Sequence, residues 1–211
     1  LRNITAAGTL ATITAFGQAP SDSTHNERVS IHMQATEVVQ YKPAFSAAYS
    51  GPNSLSTEEE TRTSITTTLF LGARLWKGAE FFFNPELAGG AGLTGALGVA
   101  SSTNGETFRV GDPQPQFYSA RLFLRQNFAL GSDLERVDAD ANLHAGPRPK
   151  DRITITVGKI CLADIFDNNT YSHDPRTQFL SWGLMDNGAW DYSANVRGYT
   201  PAFAVELFKG Q

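Results

Sequence analysis

The sequence predicts an all-β chain whose antiparallel strands belong to a membrane-spanning β-barrel. Apolar and polar residues alternate with period two through most of the chain, in segments of about 8 to 14 residues with aromatic residues near their ends. A tilted membrane strand needs about 9 to 11 residues and carries aromatic residues at both interfaces. Alternation alone also fits a soluble sandwich that buries one face. Segment length and the placement of the aromatics favour the barrel.

The first predicted strands lie in the N-terminal half. Residues 29–36 place Val29, Ile31 and Met33 on one face and polar residues on the other. Residues 63–76 alternate in the same way, and residues 79–84 continue after a turn at Lys77 and Gly78. Two alternating segments joined this tightly predict an antiparallel hairpin.

The remaining predicted strands follow the same pattern. Tyr118, Ala120 and Leu122 begin the apolar face of a strand over 118–128. Residues 152–157 form another strand, after which Gly158 predicts a bulge, and the last two strands cover 190–197 and 203–208. Residues 137–145 also alternate, but Asp and Ala are poor strand formers, so this strand is the least favoured.

The alternation also predicts which side chains face lipid: Ile65, Leu69, Leu71, Leu122, Leu124, Ile155, Tyr192 and Val196.

Composition excludes several function classes. A net charge of -4 without a basic stripe argues against a nucleic-acid partner. The single Cys161 permits no internal disulfide, and four scattered histidines predict no metal site. We expect no cofactor. No run of 18 apolar residues occurs, which excludes a membrane-spanning helix. Residues 1–28 resemble a signal-peptide remnant or a flexible N-terminal arm, and residues 29–211 form the barrel segment.

The polar faces carry arginines and acids in equal number, which predicts a water-filled lining without strong preference for either sign of ion. The candidate lining residues are Arg74, Arg121, Arg125 and Arg197 against Glu80, Glu86, Asp191 and Glu206. Such a surface suits neutral, hydroxyl-rich solutes such as sugars, with Phe82 or Trp182 offering a flat face to a pyranose. These residues also fit the solvated outer face of a soluble domain.

A loop over residues 164–188 is predicted to fold inward as a constriction. Asp174 followed by Pro175 indicates a helix start, and Phe179, Trp182 and Met185 recur at helical spacing over 175–185. A cluster of exposed apolar side chains is unfavourable in water, so we expect these residues to pack on the inner wall of the barrel. We expect Asp167, His173 and Arg176 to present hydrogen-bonding groups to a passing sugar.

Several segments together resemble the carbohydrate-selective porins of the OprB type, in the order expected from Val29 to the end. They are FNPELAGGAGLTGALGVA, NGETFRVG, YSARLFLRQNFALG, DRITITVGK, DIFDNNTYSHDPRTQFLSWGLMDNGAWDY and RGYT. The resemblance implies a non-enzymatic channel in the bacterial outer membrane, exported through the periplasm, for passive diffusion of mono- and oligosaccharides. Family chains are about twice as long, so this chain is expected to supply about half of the strands. By analogy with other porins, a homotrimer is a possible assembly.

Two other function classes stay open on the sequence. A soluble or periplasmic β-sandwich that binds carbohydrate would show the same alternation. A glycoside hydrolase would use Glu80 and Glu86 as its paired carboxylates.

Overall fold

The computed structural model describes residues 9–17, 26–106, 114–166, 169–185 and 198–210, with the side chains of 9–17 and 99 excepted. The strands are β1 Thr9–Gly17, β2 Val29–Lys42, β3 Glu60–Trp76, β4 Ala79–Gly90, β5 Gln116–Ala129, β6 Leu134–Val137, β7 Gly146–Pro149, β8 Arg152–Cys161 and β9 Tyr199–Phe208. Short 3-10 turns lie at Leu93–Ala96, Val99–Ser101 and Leu162–Asp164.

Seven strands form one antiparallel sheet in the order β1-β2-β3-β4-β5-β8-β9, and β6 and β7 pair as a separate hairpin inside the β5–β8 connection. The all-β antiparallel prediction is therefore confirmed. Over the described ranges the sheet is open, and no helix there is long and apolar enough to cross a membrane. Strand β1 lies within the predicted arm and pairs with β2 from Thr9 to Gly17.

Apart from those over 137–145 and 190–197, the predicted strands are found at their places, with longer bounds, and the turn at Lys77 and Gly78 joins β3 to β4. The strand predicted over 190–197 lies outside the described residues. The strand predicted over 137–145 is wrong, because between β6 and β7 only Asp140 and Leu143 form an isolated bridge. Asp140 and Leu143 instead close a tight turn within the β5–β8 connection, and this connection folds back on the sheet.

The structure places strand irregularities elsewhere than predicted. The register of β8 runs through Gly158 without a shift, so the predicted bulge is absent there. A shift occurs instead where Asn84 pairs with Arg121 and Pro85 with Ser119, leaving Ala120 unmatched. Pro85 has no backbone N–H to give to a regular ladder.

This irregularity corrects the predicted faces of β5. Tyr118 and Ala120 were expected on the apolar face with Leu122. Ala120 is instead fully buried, and the Tyr118 hydroxyl donates to Glu86 on the polar side, whereas Leu122 is exposed. One unmatched residue turns the preceding part of the strand to the opposite face.

The sheet buries its polar face and exposes its apolar face. Strand β2 alternates strictly, with Ser30, His32 and Gln34 buried and Ile31 67% exposed. The buried polar residues on the neighbouring strands are Ser64, Thr66, Thr68, Glu80, Asn84, Glu86, Arg152, Thr154 and Thr156.

Of the side chains predicted to face lipid, Ile65, Leu69 and Leu122 are exposed and Leu71, Leu124 and Ile155 are half-buried. Tyr192 and Val196 lie outside the described residues.

The predicted helix over 175–185 is a series of turns, which corrects that part of the fold prediction. Its backbone groups bond to other segments: the N–H of Phe179 donates to Tyr171 O, and that of Trp182 to Ser102 O. These bonds replace those that a helix would make with itself. Asp174 still caps the first turn, because its Oδ1 accepts from the Arg176 N–H at 3.0 Å.

Candidate functional site

The polar face of the sheet and the connections that cover it enclose a cavity of about 450 Å³. Strand residues Gln34, Phe70, Arg121 and Arg125 line one side of it. The other lining residues include residues 173–178 of the β8–β9 connection, the turn at residues 140–143, and Glu106. Three ion-pair clusters hold these parts together.

The first cluster joins the β8–β9 connection to the polar face of the seven-stranded sheet, called the wall below. The guanidinium of Arg176 donates through Nη2 to Glu86 Oε2 at 2.7 Å and through Nε to Glu106 Oε2 at 3.0 Å. Its Nη1 donates to Thr68 Oγ1 at 2.9 Å. Glu86 is fully buried and also accepts from the hydroxyls of Thr68 and Tyr118. Every nitrogen of this guanidinium therefore has an oxygen partner.

Arg176 remains charged in this environment. Its burial by itself would lower the pKa of the guanidinium, but Glu106 and Glu86 raise that pKa well above its ordinary value. The buried carboxylates and the arginine thus depend on one another for compensation of their charges.

The second cluster centres on Glu80 in β4. Its Oε1 lies 3.4 Å from Arg74 Nε and 3.1 Å from His144 Nδ1, and its Oε2 lies 3.9 Å from Arg125 Nη1. Phe82, two residues along the same face, is fully buried, with its ring centroid 4.9 Å from that of His144 and 5.2 Å from that of Phe123. Here the strand wall and the β5–β8 connection are packed side by side.

The third cluster is a bidentate pair between the wall and the start of the β8–β9 connection. Arg121 donates through Nε to Asp164 Oδ2 at 2.6 Å and through Nη2 to Asp164 Oδ1 at 2.7 Å. The Arg121 guanidinium also lies 5.1 Å from the ring centroid of Tyr199. Two parallel hydrogen bonds fix both the distance and the orientation of this pair.

Glu206 lines a second, smaller cavity of about 210 Å³ together with Glu80, Arg125, Arg148 and Arg152. Arg148 and Arg152 both pair with Glu135 in β6, at 2.8 and 3.0 Å. Charges of both signs therefore continue along the polar face toward the strand ends that the β5–β8 connection joins.

The structure brings together most of the lining residues predicted from the sequence. Arg74, Glu80, Glu86, Arg121, Arg125 and Arg176 occupy the ion-pair clusters, and Glu206 lies beside them. His173 lines the larger cavity, with Nδ1 against the carbonyl of Asn169. Phe82 is covered by Arg125, His144 and Phe123. Asp167, Asp191 and Arg197 lie outside the described residues.

The apolar residues of the β8–β9 connection are covered to different degrees. Met185 is buried and Trp182 half-buried, and both line the larger cavity, but Phe179 is 57% exposed.

The sequence interpretation missed Glu106, Asp164 and His144 as parts of the site. Each pairs with a predicted residue that is between 43 and 70 positions away. No local pattern marks such partners. The only available signal was that an arginine on a buried polar face needs a carboxylate.

The same geometry bears on the hydrolase alternative. Glu80 and Glu86 are six residues apart on one strand, which separates them by about 20 Å at the rise of an extended strand. Paired glycosidase carboxylates lie about 5 to 9.5 Å apart, so Glu80 and Glu86 are too far apart to form such a pair.

Within the described part of the chain, no group of three His, Cys, Asp or Glu residues could hold a metal ion.

Comparison with known protein families identifies a match over most of the chain. The family model of the carbohydrate-selective porins, OprB family, matches residues 52–207, which is most of the chain. No curated protein and no solved structure matches the chain.

Proposed function

This chain belongs to the OprB family of carbohydrate-selective porins, and from that premise we propose that it forms an outer-membrane channel for passive diffusion of mono- and oligosaccharides. The neutral sugar would cross along the polar face of the sheet. The apolar face would contact outer-membrane lipid.

The observation that carries this proposal is the inverted distribution of side chains. Ile31, Phe203, Val205 and Leu207 are each at least 59% exposed, while the opposite face buries Glu80, Glu86 and Arg152. A soluble sandwich would turn that apolar face inward, because exposed apolar surface in water is unfavourable. A membrane strand has the opposite requirement, with apolar residues toward lipid and polar residues toward the lumen.

The charge pattern supports a neutral solute. Each glutamate of the clusters lies beside at least one arginine, so the lining offers many hydrogen-bonding groups with little net charge. Ordered arginine and carboxylate groups can form hydrogen bonds with sugar hydroxyls. Because their charges balance, we expect the channel to select only weakly between small cations and anions.

The β8–β9 connection is proposed as the constriction. Arg176 and Asp164 attach it to the wall, and His173 and Asp174 line the cavity beside the path of the solute. The homotrimer suggested by analogy remains a prediction, which cross-linking of the detergent-extracted protein would test.

Membrane fractionation followed by conductance measurements in planar bilayers tests the proposed function. We expect the protein in the outer-membrane fraction, stepwise conductance increments, and a reduction of the current by added oligosaccharide. Removal of residues 168–178 should raise the conductance and weaken the sugar block. Extraction without detergent, or an absence of conductance steps, would contradict the proposal.

A further inference from the structure

A second segment reaches the cavity from the end of the sheet opposite to the β8–β9 connection. It comprises residues 138–146 of the β5–β8 connection, called the inner segment here. The side chain of His144 is fully buried and inserts against the wall, with Nδ1 3.1 Å from Glu80 Oε1. The ring occupies a slot that exists because residue 72 is a glycine. A Cβ on Gly72 would lie 2.9 Å from His144 Nε2 and 2.8 Å from Phe82 Cε1.

The backbone of the inner segment is fixed by charged side chains from three places in the chain. Arg74 Nη2 donates to the carbonyls of His144 and Ala145 at 3.2 and 3.1 Å. Arg125 Nη1 donates to Asn142 O at 2.9 Å, and Glu27 Oε2 accepts from the Ala145 N–H at 3.0 Å. Hydrogen bonds that involve a charged group are stronger than those between neutral groups. The segment is therefore a built part of the wall.

The tip of the inner segment faces the cavity. Asp140 and Leu143 bond to each other through both backbone pairs, at 2.9 and 3.1 Å, which leaves Ala141 and Asn142 at the point of a tight turn. All four line the 450 Å³ cavity, whose other lining residues include His173, Asp174 and Arg176. The cavity is thus bounded by two segments that enter from opposite ends of the sheet.

We propose that the tip of the inner segment is the second wall of the constriction, and that Asp140 and Asn142 determine specificity there. This inference rests on the proposed channel function. The solute passes between the tip and the β8–β9 connection, with the Asp140 carboxylate opposite a lining that contains Arg121, Arg125 and Arg176. These arginines are already paired with Asp164, Glu80, Glu86 and Glu106, so the charge of Asp140 makes the narrowest part more favourable to cations. His144 acts as a positioning residue that holds the tip in place.

Cysteine modification of the tip tests this placement in bilayers. Ala141→Cys is treated with a bulky, charged methanethiosulfonate, and Asp133→Cys, at the exposed outer end of the same connection, is the matched control. The wild-type protein controls for the native Cys161, which is buried. We expect modification of Ala141→Cys to reduce the single-channel conductance by at least half and to leave that of Asp133→Cys unchanged. Unreacted thiol by mass spectrometry, or reaction without a conductance change, would overturn the inference.

A charge substitution provides an independent measurement. Asp140→Asn should shift the cation-to-anion permeability ratio toward anions by about twofold, the effect expected of a unit charge about one Debye length (~8 Å at 0.15 M salt) from a passing ion. Asp133→Asn should leave the ratio unchanged. An equal ratio in wild type and Asp140→Asn would exclude Asp140 from the passage. If the wild-type protein forms no channels, the proposed function fails. If the wild type conducts but the variants at Asp140 and Ala141 change neither the conductance nor the permeability ratio, only this inference is refuted.

Discussion

Replacing Arg176 by Met should release the β8–β9 connection from the wall. The guanidinium is held by Glu86, which is fully buried, and Glu106, which is 3% exposed. Met fills a similar volume but leaves both carboxylates without their arginine. Removing one partner of a buried ion pair costs about 3 to 5 kcal/mol, because the remaining charge stays in a poorly solvated place. We expect that cost to appear as local opening of the connection, since the strand ladders make no use of Arg176.

Hydrogen exchange measures that opening directly. The N–H groups of Gln178, Phe179 and Trp182 are bonded to Asp174 O, Tyr171 O and Ser102 O. A loss of 3 kcal/mol in local stability corresponds to exchange faster by roughly a hundredfold or more. Amides in β3 should keep their rates, and conductance should rise. The matched control is Arg62→Met, which removes an arginine with a 44% exposed side chain from its pair with Glu60 and should cost less than about 1 kcal/mol.

Two results would contradict a role of the Arg176 cluster in holding the connection. Unchanged exchange at these amides in Arg176→Met would mean that the cluster does not hold the connection. Equal acceleration in Arg62→Met would mean that the effect is not specific to the buried pairs.

The remaining predictions concern the wall. Leu69→Arg, on the exposed apolar face, should lower the unfolding free energy in lipid vesicles by about 2 to 4 kcal/mol if it lies near the bilayer midplane, whereas Leu69→Phe should be tolerated; equal stability of both variants would favour a water-facing surface. Neutralising Arg121 and Arg125 together should shift reversal potentials toward cation selectivity, because the acids then dominate the local field; unmoved potentials would exclude these arginines from the pore. Gly72→Ala should destabilise the protein by about 1 to 3 kcal/mol through overpacking, since its Cβ would lie 2.3 Å from Ser30 Oγ. Gly131→Ala, with only one side-chain atom nearby at 3.7 Å, is the matched control in urea unfolding, and equal costs would argue against the slot.

The all-β antiparallel class, most of the strands and the family could be predicted from the sequence alone. Period-two alternation is a local property, so β2, β3, β4, β8 and β9 could be placed from their own residues. The family resemblance, carried by short segments in a fixed order, is confirmed by the match over residues 52–207.

Contacts in the folded chain, rather than local patterns, determine how the charges pair and where the alternation fails. Arg176 and Glu86 are 90 positions apart, and no local pattern links them. The unmatched residue at Ala120 depends on Pro85 in the neighbouring strand, which the sequence of β5 does not contain. Residues 175–185 have helical spacing, yet their backbone groups find partners in other segments, so turns form instead. His144 became part of the site because Gly72, on another strand, leaves room for its ring. In each case a contact between residues distant in sequence outweighs the local preference, because burial and charge compensation act only once the chain has folded.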